Sequence, residues 1–452
     1  MKLPKKPPSR ESTFKIISDL EAFEKIVDPL IYKATVGDRY LHWEKLAYRP
    51  IPKKGTTHEE WWAAIKLARM SLYKNLKFSD TEKKPFKIAT PDPVLRLLSE
   101  ADRNLSGRVT IPDQIQNPGT RDRYLMTAQI EEAITSSQLE GAATTRKVAA
   151  EMLRSGRKPT DDGERMIWNN FRVMQFVRTI QNSPLTPALI AEIQRRIAEG
   201  TLQNPADAGR FRDGSDKEDD DIRVYGWKDE VLHTPPKSAE ITKRVEALCT
   251  FANEDPAKCE FFVHPIIRAI LLHFMLAYDH PFVDGNGRTA RALFYWSMLR
   301  SGYWMVEYLS ISQILRQAPS KYALSYLYTE TDENDTTYFA LYQLEVLLRA
   351  IGMLHDYVIE KMREIEKTQA LMKNSQRFNH RQLALLGHGL RNPDGTYTVT
   401  SHSMSHQVTR QTARVDLKGL VDLKLLASLR VGKGVIYRRM PDLETRLASL
   451  KK

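Results

Sequence analysis

A chain of 452 residues with 68 Lys plus Arg against 56 Asp plus Glu carries a formal charge of +12, and 42% of its residues are hydrophobic. That length accommodates about two to four domains. Cys249 and Cys259 are its only cysteines, which excludes a disulfide framework and fits a reducing compartment. No apolar run reaches the ~18 residues of a membrane span, so no membrane partner is expected.

Met1 to Arg10 is basic, with Pro4, Pro7 and Pro8 and no following apolar stretch. It reads as a flexible tail rather than a secretory signal, and a cytoplasmic location is expected. Asp19 to Ile31 and His58 to Asn75 read as helices, with Trp43, Trp61 and Trp62 supplying core surface. Pro50 to Thr57 and Lys83 to Pro93 read as linkers.

Ile130 to Leu139 has helical character and Gly141 suits the C′ position after it. Ser136 then lies one turn before Glu140. Further on, Gly209-Arg210-Phe211-Arg212, Ile222-Arg223-Val224-Tyr225-Gly226 and His233-Thr234-Pro235-Pro236 alternate around a turn, as a β-hairpin does. The acidic stretch Asp213 to Asp221 between them is expected to be a solvated loop. Arg195-Arg196 reads as a solvated helix face, and His273 as a packing histidine.

His280-Pro281-Phe282-Val283-Asp284-Gly285-Asn286-Gly287-Arg288-Thr289-Ala290-Arg291 is the densest chemical signal in the chain. Apolar helical segments flank it, Ile266 to Tyr278 before and Arg288 to Leu299 after. Gly285, Asn286 and Gly287 therefore fall at a helix N-terminus, where free N–H groups and the helix dipole favour an anion. Arg288 and Arg291 are three apart and face that anion together. Asp284 is available to hold Mg²⁺, and His280 to take a proton. No Gly-x-x-x-x-Gly-Lys-Ser/Thr occurs, which removes the commonest alternative phosphate loop.

Basic charge concentrates at the end. From Leu371 to Lys452 there are 15 Lys plus Arg against 5 Asp plus Glu. Asn379 to Leu390, Ser401 to Gln407 and Thr409 to Leu420 read as helices, the last with Ala413, Leu417 and Leu420 inward. Asn392-Pro393-Asp394-Gly395 reads as a turn and Thr396 to Thr400 as a strand. Leu425 to Leu429 and Val435 to Tyr437, joined by Gly432-Lys433-Gly434, read as a hairpin. The order resembles a winged helix-turn-helix domain. Arg410, Gln411 and Arg414 would then lie on the exposed face of its recognition helix, where they suit base edges or phosphates of DNA. Docking of a protein partner stays open for the same surface.

The twelve-residue run matches every fixed position of His-Pro-Phe-x-Asp/Glu-Gly-Asn-Gly-Arg-x-x-Arg, and so resembles the Fic family. His264-Pro265-Ile266-Ile267-Arg268-Ala269 and His273 resemble the helix that precedes the family's loop, and the likeness covers roughly residues 100 to 350. It implies transfer of AMP from ATP to a Tyr, Ser or Thr hydroxyl of a target protein. His280 would be the base and Phe282 the anchor of the loop in the core. Asp284 would hold Mg²⁺, and Gly285, Asn286 and Gly287 would cradle the α-phosphate. Arg288 and Arg291 would hold the distal phosphates.

Ser136-Ser137-Gln138-Leu139-Glu140-Gly141 resembles the family's inhibitory pattern Ser/Thr-x-x-x-Glu-Gly/Asn. Ser136, Glu140 and Gly141 would form it, Glu140 pairing with Arg291 against the γ-phosphate. The hairpin near 209–236 resembles the family's flap, with the acidic insertion as a departure. The expected fold is mainly α: an N-terminal helical extension (1–95), a helical Fic core with a β-hairpin flap (96–350), a helical linker (351–375) and a C-terminal winged helix (376–452). Two other readings of the same residues stay open: an AMP-removing hydrolase, and a DNA-bound regulator that senses nucleotide. A second copy of the chain is a further candidate partner.

Overall fold

The computed structural model describes residues 3–105, 118–226, 230–372, 378–392, 395–406, 408–431 and 434–449. The expected turn at Pro393-Asp394, the hairpin tip Gly432-Lys433, Gln407 and the boundary at 375/376 lie outside those residues. The fold is mainly helical, and the chain forms two units, Met1–Gly352 and Met353–Lys452.

In the first unit, Ser9 caps a helix over Arg10–Ser18, and Asp19 caps a second over Leu20–Ile26. The expected helix to Ile31 stops early because Asp28 precedes Pro29, and the residue before proline avoids the α region. The proline-rich start is no free tail: Pro4 is buried and Lys5 stands over the Trp43 ring. Thr57 and Glu60 form a capping box for His58–Met70, whose Trp61 and Trp62 join Trp43 in one core cluster. That helix ends before Asn75 because Lys74–Ser79 pairs antiparallel with Pro85–Ile88, inside a stretch expected as linker.

A buried polar cluster joins this N-terminal region to the turn at 332–338. Lys66 Nζ meets Asp332 at 2.8 Å, Tyr40 donates to Asp335 at 2.6 Å, and Arg69 donates to Tyr338 and to two backbone carbonyls. Buried charges demand such partners, so the cluster fixes the extension onto the core.

The core is a set of helices: Pro118–Leu139, Arg146–Ser155, Asp162–Thr179, Pro187–Ala198, Ser238–Asn253, Pro265–Asp279, Asn286–Arg300, Ile311–Gln317, Pro319–Thr331 and the start of Thr337–Met372. Pro265–Asp279 and Asn286–Arg300 are buried along almost their whole length. Pro265–Asp279 is apolar almost all round, as suits a central helix, and with Asn286–Arg300, which buries Arg288 and Arg291 among its apolar residues, it forms the middle of the unit. A short hairpin, Val224–Tyr225 with Val231–His233, stands beside them.

In the second unit, Asn379 caps His380–Arg391, and Val399–His406 and Arg410–Asp422 follow. Three strands, Thr396–Tyr397, Leu426–Val431 and Gly434–Arg439, form an antiparallel sheet with the last in the middle. Leu386, Leu417, Leu420 and Leu425 make its core. Asp416 is buried and accepts from Arg381, Asn379 and His402, so it ties the three helices together.

Candidate active site

The helix Pro265–Asp279 ends at His280, which adopts the left-handed conformation with φ 47°. A non-glycine residue there carries strain and needs outside support. Arg212 gives it. Its buried guanidinium donates to four backbone carbonyls: His280 at 2.8 Å, Asp279 at 3.0 Å, Asp219 at 2.7 Å and Pro236 at 3.1 Å. Its own N–H donates to Pro281 O at 2.9 Å. One side chain thus satisfies the last two carbonyls of the helix end, Asp279 and His280, and fixes where the loop departs.

Phe282 is fully buried and stacks on Phe211 with ring centroids 4.8 Å apart. The Asn286 side chain closes the loop on the other side, accepting from Phe282 N at 3.0 Å and donating to Phe282 O at 2.8 Å. Gly285 (φ 82°) makes the turn into Asn286–Arg300, and a Cβ there would press on Ile197 at 3.3 Å. Gln194 holds the outer edge by donating to Asp284 O at 2.9 Å and accepting from Gly209 N.

The first two turns of Asn286–Arg300 present two buried guanidiniums. Arg288 is weakly served: Ile197 O and Asp284 Oδ2 both lie at 3.4 Å, and its Nε has no partner among the described residues. Burial works against its charge, so the group is poised for an anion. Arg291 is fully engaged, with Nε on Ser136 Oγ at 2.8 Å and Nη2 on Ser136 O at 3.0 Å and Glu140 Oε1 at 2.8 Å.

Glu140 follows the end of Pro118–Leu139, where Gly141 (φ 95°) turns the chain and Ala142 N bonds Ser137 O. Its carboxylate lies against the Gly287 backbone, so close that a Cβ on Gly287 would collide with Oε1. Burial raises the Glu140 pKa, but Arg291 and then Arg288 outweigh it and hold the carboxyl below its usual range. An anionic side chain therefore sits in the anion cradle itself. The helix that carries it is pinned by Glu132, a buried carboxylate accepting from Ser310 Oγ, Ser312 N and Ser312 Oγ.

His280 is half-buried and burial pushes its pKa down to about 4. The ring is neutral near pH 7. Its Nδ1 lies 3.3 Å from Ala277 O, which can only accept, so Nδ1 carries the proton and Nε2 is the free acceptor. His233 on the hairpin differs. Its Nδ1 faces Glu330 at 2.9 Å and its Nε2 faces Tyr278 O at 2.7 Å, and despite burial these acceptors raise its pKa.

A pocket of about 200 Å³ opens here, with Glu140, His280, Gly287 and Arg291 on one side, Tyr322 and Tyr326 on another, and Val224, Leu232 and His233 of the hairpin on a third. Asp284 stands at the loop with its side chain 51% exposed. A single such carboxylate suits Mg²⁺, which keeps several waters and shares phosphate oxygens, and no cluster of three or more metal-binding side chains occurs among the described residues.

The structure thus brings His280, Gly285, Asn286, Gly287, Arg288, Arg291, Ser136 and Glu140 into one place, with Asp284 at its edge, Gly141 at the turn and Phe282 beneath. His273 is fully buried against Tyr322 OH at 2.7 Å, with its pKa lowered to about 3 by burial. The acidic stretch is not simply solvated: Asp219 is buried and accepts both Arg210 nitrogens, Asp213 N and Gly214 N. It thereby orders the segment that delivers Arg212. Arg195 and Arg196 both pair with Glu192. In the second unit Arg410, Gln411 and Arg414 are exposed on the first turn of Arg410–Asp422.

Three contributors escaped the sequence reading as site residues: Gln194, Tyr322 and the clamping role of Arg212. Gln194 had a signal, a polar residue on the apolar stripe of Ile190, Ile193 and Ile197. Arg212 had none, since nothing in spacing relates it to a loop 68 residues on.

Residues 184–298 match the model of the Fic/DOC family, a span that includes the His280–Arg291 run and not Glu140. A protein adenylyltransferase Fic from Nematostella vectensis is 35% identical over 115 residues, 25% of this chain and 23% of that protein. Its namesake from Drosophila ananassae is 26% identical over 163 residues, 36% of this chain and 29% of that protein. The matches thus span less than a third of either relative. A Fic family protein from Desulfovibrio desulfuricans G20 shares the fold with a TM-score of 0.53 at 17% identity, covering 77% of this chain and 96% of that one. No described helix is long and apolar enough to cross a membrane.

Proposed function

We propose that the chain is a protein adenylyltransferase, transferring AMP from ATP to a hydroxyl side chain of a target protein, and that Glu140 restrains it. The hydroxyl oxygen attacks the α-phosphorus, the bond to the β-phosphate oxygen breaks, and pyrophosphate leaves. His280 Nε2 takes the hydroxyl proton, which its neutral ring and fixed tautomer favour. The Gly285–Gly287 backbone and Arg288 hold the phosphates in line, where positioning and charge neutralisation supply most of the catalysis. Asp284 would hold Mg²⁺, which neutralises charge on the departing phosphates. The 200 Å³ pocket beside Tyr322 and Tyr326 would receive the adenosine.

One observation carries the reading: the Glu140 carboxylate lies in the anion cradle, 2.8 Å from Arg291. A merely structural turn has no reason to receive a carboxylate there. Label from [α-³²P]ATP in host lysate, followed by mass spectrometry of labelled bands, tests it. Label in protein that depends on His280 supports it; its absence from native and Glu140→Gly chains alike overturns it. The same placement favours a second reading, in which Glu140 aligns water to release AMP from a modified protein.

For the second unit, we propose a winged helix-turn-helix module that binds DNA through Arg410, Gln411 and Arg414. Their exposure on one helical turn supports this.

A further inference from the structure

The geometry points to a second nucleotide-binding site, in the cleft between the N-terminal extension and the helix Pro319–Thr331. The cleft has a volume of about 720 Å³, a size that encloses a nucleotide. Four elements wall it: the segment 38–46, Asp92–Leu105, Pro319–Thr331 and the start of Thr337–Met372.

Three of these elements give the cleft exposed cations: Arg39 and Lys45 on the segment 38–46, Arg96 on Asp92–Leu105 and Lys321 on Pro319–Thr331. None of these side chains forms a hydrogen bond or an ion pair among the described residues. The contrast with the neighbouring buried cluster is plain, where Lys66 pairs with Asp332. Unpaired cations converging from separate elements are what a phosphate group needs. Aromatic surface lies between them. Tyr328 is half-buried and stacks on His42 at 4.2 Å, and half-buried Tyr342 has no hydrogen-bond partner for its hydroxyl among the described residues.

Asp38, Glu100 and Glu345 also line the cleft, so it is not uniformly basic. Burial lifts the Glu345 carboxyl above its usual range, against the pull of Lys321. Carboxylates beside cations and rings suit a ligand with hydroxyls and an amino group as well as phosphates. A nucleotide has all of these, and inorganic phosphate has only the last.

The two pockets share one helix. Lys321, Leu324 and Tyr328 face the cleft, while Tyr322, Tyr326 and Glu330 face the catalytic pocket. Tyr342 in the cleft also stacks on Tyr322, at 6.4 Å. A ligand in the cleft would therefore bear on the wall that carries Tyr322, which interacts with Arg291. Whether that alters transfer rests on the proposed activity; the site itself does not.

Equilibrium dialysis of the full chain with labelled ATP and, separately, labelled GTP tests the site. For at least one nucleotide, the native chain should bind close to two molecules. Arg96→Glu with Lys321→Glu should weaken the cleft site at least roughly tenfold, a demand of only about 1.4 kcal/mol, and Arg291→Ala should remove the other. Lys45→Glu, on a separate element, should reproduce the cleft loss if the double variant is unfolded by circular dichroism. Unchanged stoichiometry and affinity for both nucleotides in these cleft variants overturns the proposal. Failure of the catalytic reading looks different: Arg291→Ala would then change nothing, while the cleft variants would remove all binding.

Discussion

Arg212 Nε donates to His280 O at 2.8 Å, so the residue positioned as a base takes its left-handed backbone from a side chain on the segment leading to the hairpin. Arg212→Lys keeps the charge but cannot reach four carbonyls at once. It should lower kcat at least roughly tenfold, about 1.4 kcal/mol, while the Kd for ATP stays within about twofold, since no phosphate contact is lost. Parallel losses in kcat and ATP affinity would instead mean that the whole cradle had collapsed.

Arg291 cannot serve Glu140 and a γ-phosphate equally well at once. Glu140→Gly should raise auto- or target adenylylation by roughly tenfold or more, equivalent to about 1.4 kcal/mol. Arg291→Ala should not imitate it, because the phosphate contact goes with the restraint. Should Glu140→Gly leave transfer unchanged but abolish AMP release from a premodified protein, the carboxylate is hydrolytic.

His280→Ala should abolish transfer in a folded chain that still binds ATP, because in the proposed mechanism the ring acts on the hydroxyl. With the His280 pKa at about 4, the acid limb of kcat/KM should fall near that pH. A His280-dependent limb centred near 6.5, the ordinary histidine value, would contradict the depressed pKa.

His42, His273 and His280 have pKa values lowered to about 4, about 3 and about 4, each chiefly by burial. Between 6.5 and those values the unfolded chain binds more protons than the folded one. Their stability contribution is therefore complete above pH 6.5 and drains away as the pH falls through about 4. Urea midpoints at pH 7.0, 5.5 and 4.5 should decline in that order, and equal midpoints would show that these rings protonate without cost.

Binding of the second unit to duplex DNA should weaken steeply with salt, and Arg410→Ala or Arg414→Ala should reduce both affinity and salt slope. If random duplexes fail to bind at low salt, the DNA reading fails and docking of a protein partner is favoured for the same surface.

The local parts of this architecture were readable in the sequence because their causes are local. Gly285, Asn286 and Gly287 announce a helix N-terminus, and Gly141 announces a helix end, through backbone conformations their neighbours dictate. Thr57 with Glu60 marks the start of His58–Met70 in the same way. The long-range ties were not readable. Lys74–Ser79 is a strand only because Pro85–Ile88 pairs with it, and Asp219 is buried only because Arg210 meets it. The Fic resemblance placed Glu140 against Arg291, which spacing alone could not do across 151 positions.

Glu132, buried on Ser310 and Ser312, has a bearing on how fast the restraint could act. It fastens the helix Pro118–Leu139 two turns before Glu140, and Ser136 and Ser137 are buried as well. The carboxylate nevertheless lies beyond the last helical residue, beside a glycine turn, with its side chain 28% exposed. Clearing the cradle therefore calls for a swing about side-chain bonds rather than the departure of a helix. Such swings take picoseconds to nanoseconds at exposed positions, whereas helix displacement takes microseconds or longer. Under the proposed activity, nucleotide would contend with Glu140 directly at every encounter, and the degree of restraint would follow ATP concentration without a slow unlocking step.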